Sequence, residues 1–208
     1  MKKTLFNKSI CLSILSIFSI VCCLFFSSSN IYAEVNYDKK EIKRMEKLIN
    51  ETYNTAINVL GTDHIDMINH PLDAKDLTTF GVYFLYNNRY DKLQKINESN
   101  NCIIPIKMVH RAVKNVFDYH LSTKDIKKQS SKFKFVDDNI ILGPSDPGMT
   151  PPLKIKKISR DDIGLIRIRA IAEDEIDNNK IDVYKIVLKE KVKDDKRSWR
   201  IILIKKIN

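Results

Sequence analysis

The hydrophobic rhythm of this 208-residue chain changes once, near Lys132, and that change limits the folds open to it. Before it, apolar residues recur at three- and four-residue steps, the period of an amphipathic helix. After it they alternate with polar residues, the period of a strand with one buried face. Helices first and strands second make an α+β domain, with helices on one side of an antiparallel sheet, rather than an alternating parallel fold.

The first helical run carries Ile42, Met45, Ile49, Tyr53, Ala56, Ile57 and Leu60 on one face. Asp38 is its N-cap and Gly61 its stop. Thr62–Asp73 reads as a loop. A second helix spans Ala74–Tyr86, weakened by the interior Gly81. Tyr90–Asn101 reads as an irregular connector. A third helix follows Pro105, which suits a first helical turn. Its stripe of Val109, Ala112, Val113, Val116 and Phe117 is small and smooth enough to lie flat on a sheet.

The strand half opens with a hairpin, Phe133–Val136 and Asn139–Leu142, around Asp137-Asp138. Four prolines between Gly143 and Pro152 exclude regular structure there. Four strands follow: Leu153–Ser159, Ile163–Ala172, Ile181–Lys191 and Trp199–Ile207. Asp161-Asp162, Asp177-Asn178-Asn179 and Asp194-Asp195 supply the turns. The alternation selects a register: Ile168 against Leu188 and Ala170 against Ile186, with the helical stripe 109–117 packed on the small Ala170 and Ala172. Arg167, Arg169, Lys185 and Lys189 then share the opposite face. Ile201-Ile202-Leu203-Ile204 is apolar on both faces, so part of that basic face must be covered.

Residues 1–33 have the grammar of a secretory leader: Lys2, Lys3 and Lys8, an uncharged stretch Ile10–Phe26, and Ala33 at the cut. Residues 34–208 then form a single domain that is secreted or held at the cell surface. An uncleaved anchor, or a lipoprotein modified at Cys22 or Cys23, would put the domain on the same side of the membrane. The lipoprotein is disfavoured because Val21 and Cys22 precede those cysteines. Cys102 is the one cysteine beyond the leader, so the domain has no internal disulfide and Cys102 reads as a buried apolar group. Removing the leader's three lysines from the formal charge of +10 leaves +7. A basic exported domain favours an anionic wall polymer, a membrane surface or an envelope protein as partner, and export disfavours nucleic acid.

Catalytic and metal signatures are sparse. His64, Asp66 and His70 fit no zinc spacing. His120, in Asp118-Tyr119-His120, is a general-base candidate that reads better as a surface histidine. The three Asp-Asp pairs fall at turns, where Asp bonds nearby backbone, rather than across a cleft as glycoside hydrolysis requires. No glycine-rich phosphate loop occurs. No cofactor or metal is expected.

The order of elements over about residues 38–207, helices and then a bent sheet of four to six strands, resembles the cystatin-like, nuclear-transport-factor-two-like superfamily. The resemblance implies a cone-like domain, a small-ligand cavity and, in some members, isomerase or dehydratase activity. No catalytic residue of those enzymes has a counterpart here. The residues themselves point to a non-enzymatic binding domain that docks an anionic polymer or protein on Arg167, Arg169, Lys185 and Lys189. The alternatives are a small-ligand cone with a pocket between helix 106–118 and the sheet, and an inhibitor of a secreted wall enzyme that uses loop 143–152 as a wedge.

Overall fold

The computed structural model describes residues 36–96, 101–146, 148, 150–173 and 181–207. The leader and the turn Asp177-Asn178-Asn179 lie outside the described residues. The chain is α+β, with helices packed against antiparallel sheets.

Helix α1 (Lys39–Thr55) starts where the sequence predicts it should. Asp38 Oδ1 accepts from the Glu41 amide at 2.7 Å, and Glu41 Oε2 accepts from the Asp38 amide at 3.3 Å, a reciprocal capping box. The helix loosens into a π turn, Ala56–Leu60, and stops at Gly61, whose φ of 68° is left-handed. Helix α2 (Ala74–Arg89) is capped by Asp73 and runs three residues past Tyr86. Helix α3 (Ile106–Phe117) follows Pro105, and α4 (Thr123–Lys127) is a single short turn capped by Ser122. Among the described residues no helix is long and apolar enough to cross a membrane.

The strands form two sheets. One has the order β1 (Ile65–Asp66), β9 (Lys196–Lys206), β8 (Ile181–Lys193), β7 (Ile166–Glu173), β6 (Leu153–Arg160). The other has the order β2 (Gln94–Ile96), β3 (Asn101–Pro105), β5 (Asn139–Leu142), β4 (Lys134–Val136). The expected connector Tyr90–Asn101 therefore contains a strand and meets the start of another, and the predicted hairpin belongs to this second sheet. The Asp-rich turns form as expected: Asp137, Asp194 and Asp195 all take positive φ. Strand β7 starts at Ile166 rather than Ile163 because Asp161 closes the preceding turn, its Oδ1 accepting from the Leu165 amide at 2.7 Å.

Two packing expectations are corrected. The β7–β8 register pairs Ile168 with Ile186 and Ala170 with Tyr184, two residues from the predicted pairing. A two-residue slip keeps every side chain on its predicted face. The stripe on α3 meets Gly81 of α2 rather than Ala170 and Ala172. A Cβ at Gly81 would lie 2.8 Å from Val109 Cγ1 and 2.9 Å from Val113 Cγ2, so only glycine allows this approach. It is α1 that reaches the inner sheet face near Ala170: the buried Tyr53 and Tyr184 hydroxyls share a hydrogen bond of 2.7 Å, and burial pushes both phenol pKa values up. Asn50 joins α1 to the start of β6, donating to the Leu153 carbonyl at 3.0 Å and accepting from its amide at 2.6 Å. One apolar core links the helices to both sheets, and Cys102 lies fully inside it, with burial raising its thiol pKa.

Candidate functional site

The outer face of the larger sheet gathers the basic residues. Tyr184, Ile186 and Leu188 of β8 point inward and are buried, which turns Lys185 and Lys189 outward. On β7 the inward set is Ile166, Ile168 and Ala170, so Arg167 and Arg169 share the outer face with Lys185 and Lys189.

Register then aligns charge across the sheet. Lys157 pairs with Arg169, Arg169 with Lys185, and Lys185 with Lys205. Four exposed cations thus sit side by side on β6, β7, β8 and β9. Among the described residues none of the four has a carboxylate in ion-pair range. Like charges placed directly opposite on neighbouring strands repel. The row therefore stores unfavourable electrostatic energy that a multivalent anion would relieve.

A shallow groove of about 230 Å³ runs over part of this row, lined by Lys157, Ser159, Arg167, Arg169, Lys185 and Ile207 among others. The four predicted residues divide. Arg169 and Lys185 form the centre of the row. Arg167 borders the groove, but its guanidinium is held by Asp161, with Nη2 2.7 Å and Nε 2.9 Å from Oδ2. Lys189 stands apart, opposite Arg200 of β9 and outside the groove. Between Lys185 and Lys189 the outward-facing Val187 is only 4 % exposed, so the face closes over there, as the apolar run at 201–204 leads one to expect.

Lys157 and Lys205 belong to the row but not to the predicted set. Bulges hide both. The register shifts between Ile155 and Lys157, which makes Lys156 an extra residue, and shifts again opposite Val187 and Leu188, which makes Ile202 extra. An inserted residue reverses the alternation along a strand. Lys154-Ile155-Lys156-Lys157 and Ile201-Ile202-Leu203-Ile204 are the traces such insertions leave in a sequence.

The remaining candidates have local roles. Asp66 accepts from the amides of Ile68 and Asn69 and from Asn69 Nδ2, and the Asn69 bonds above all hold its carboxyl below the usual range. Among the described residues no group of three potential metal ligands gathers. The His120 ring lies 6.4 Å from that of His110, whose Nε2 is 3.1 Å from Thr123 Oγ1. In loop 143–152 the Ser145 amide donates to Tyr86 Oη at 2.9 Å, and Thr150 bonds Asn54. Asn115 of α3 and Ser198, Trp199 and Arg200 of β9 line a pocket of about 430 Å³ where helix 106–118 meets the sheet, and a cleft of about 490 Å³ lies among α1, α2 and α3.

Searches against protein-family models, curated proteins and solved structures found no significant match.

Proposed function

We propose that this chain is an exported, non-enzymatic binding domain of the cell envelope that docks an anionic polymer across the outer face of its larger sheet. The row Lys157–Arg169–Lys185–Lys205 carries the reading. Four exposed cations in direct cross-strand succession, without acidic partners among the described residues, favour a ligand that brings several negative charges at once. The leader-like residues 1–33 and the formal charge of +7 beyond them support a partner outside the cytoplasmic membrane, such as a phosphate- or carboxylate-bearing wall polymer.

Arg169 and Lys185 hold the centre of the contact, and Lys157 and Lys205 extend it to either side. Arg167 borders the groove with Asp161 already bound, so it shapes the edge more than it adds charge. Lys189 contributes long-range attraction only.

Binding to immobilised polyphosphate and polyglutamate, followed as salt is raised, tests the reading. A cation held near an anionic surface contributes about 1 kcal/mol, so Arg169→Ser with Lys185→Ser should weaken binding roughly thirtyfold and flatten its salt dependence. Lys39→Ser with Lys43→Ser removes the same charge from the exposed face of α1 and should change little. Equal loss in both double variants would reduce the interaction to net charge and remove the sheet face from it.

A further inference from the structure

A second constellation lies away from the cation row. Helices α1, α2 and α3 enclose a cleft of about 490 Å³. Its floor is apolar, with Leu48, Phe84, Met108 and Val116. Its rim carries Arg44, Lys47, Arg89, Lys92 and Arg111, against the single carboxylate of Glu51. That carboxylate is already engaged, with Arg89 Nη1 at 3.0 Å and Lys47 Nζ at 3.7 Å. Among the described residues Lys92 and Arg111 have no acidic partner.

A second pocket of about 430 Å³ continues from the first and shares Arg44, Leu48 and Asn115 with it. Ser198, Trp199 and Arg200 of β9 complete its wall. Trp199 is 3 % exposed, and the Arg44 guanidinium lies 5.2 Å from its ring centroid, with Arg44 Nη2 donating to the Arg197 carbonyl at 2.8 Å. Arg44 is itself exposed, so a cation stands at the junction of the two pockets.

We propose that the joined cleft binds one anionic amphiphile, with its acidic head against the rim cations Arg44, Lys92 and Arg111 and its apolar body lying along Leu48, Phe84 and Met108. A cationic rim whose one carboxylate is already engaged calls for an acceptor with negative charge, since charge-assisted bonds are the strong ones. The apolar floor calls for hydrocarbon, which a simple inorganic anion lacks. A carboxylate and a phosphate ester both meet the requirement at the head.

Trp199 is the only tryptophan of the chain, so its emission reports on the site directly. Purified protein is titrated below micelle formation with decanoate, decyl phosphate, decanol and inorganic phosphate, following emission and thermal midpoint. One or both of the anionic amphiphiles should give a saturable change in emission and raise the midpoint, and which of them does so identifies the head group. Decanol and inorganic phosphate should bind at least tenfold more weakly.

Asn115 is exposed and lines both pockets, so Asn115→Glu sets a repelling charge at their junction without disturbing the core. It should weaken the anions at least tenfold and leave the unliganded midpoint unchanged. Arg44→Gln should do the same, and Asn115→Glu decides the matter if Arg44→Gln does not fold. The sheet-face variant Arg169→Ser with Lys185→Ser should bind decanoate and decyl phosphate as the parent does, which separates this site from the polymer face. Decanol binding as tightly as the anions, phosphate alone matching them, or an unaltered Asn115→Glu titration would each overturn the proposal.

Discussion

At the scale of single residues, Asp118 shows how one side chain joins distant parts of the chain. It ends α3 in the left-handed conformation, φ 60°. Its Oδ1 lies 2.5 Å from Lys191 Nζ of β8 and 3.0 Å from Lys114 Nζ one helical turn back. The Lys191 bond first, and the Lys114 bond with it, bring its carboxyl pKa down from 3.8 to about 2. A carboxylate whose pKa is lower in the folded state than in the unfolded one stabilises fully above the unfolded value. That contribution fades as pH falls from about 4 through 2. Allowing for solvent screening, it is worth about 1 kcal/mol. Asp118→Asn should therefore be less stable than the parent by about that amount at pH 7, with the gap closing by pH 2. Urea midpoints measured between those limits check this. A gap that persisted at pH 2 would trace the loss to the helix end itself rather than to the charges.

At the scale of elements, the crossing of α2 and α3 is a close fit, with Gly81 set against Val109 and Val113. Alanine outranks glycine inside a helix by about 1 kcal/mol. Yet a methyl at position 81 would press on Val109 and Val113, whose branched side chains have little rotamer freedom. Overpacking costs about 1–3 kcal/mol, so Gly81→Ala should lower stability by roughly 1 kcal/mol. Val113→Ala should cost less in the Gly81→Ala background than in the parent, a positive coupling that a double-mutant cycle reads out.

This crossing also marks a limit of what the chain discloses before its structure is known. Helix ends, turns and the inward face of β7 and β8 were legible because local chemistry sets them: Asp38 at a cap, Gly61 at a stop, Asp194-Asp195 at a turn. Partners across the fold were not. Ala170, Ala172 and Gly81 all offer a small surface to a smooth helix, and no local rule chooses among them. An interior glycine was the better pointer, since it is costly in a helix unless something lies against it. The second sheet was hidden because Gln94, Lys95 and Ile96 are all exposed and leave no alternation to read. Half of the cation row was visible as Arg169 and Lys185; the bulges at Lys156 and Ile202 concealed the other half.

At the scale of the whole molecule, the question is whether two sheets make one folding unit. A single apolar core connects them, which predicts cooperative unfolding. The chain carries a reporter in each. Trp199 lies on β9 of the larger sheet, and the fully buried Cys102 lies on β3 of the smaller. In a variant beginning at Glu34, whose only cysteine is Cys102, Trp199 emission and Cys102 thiol reactivity should change at the same urea concentration. Separate midpoints would mean that the smaller sheet opens by itself.

The cation row has a direction, because it runs from strand to strand and not along any one of them. Adjacent strands lie about 4.8 Å apart, so its four positions are graduated like a short ruler about 14 Å long. A bound chain would lie crosswise to the strands. Two polymers of equal charge density but different repeat length would then be told apart by how many graduations each can meet.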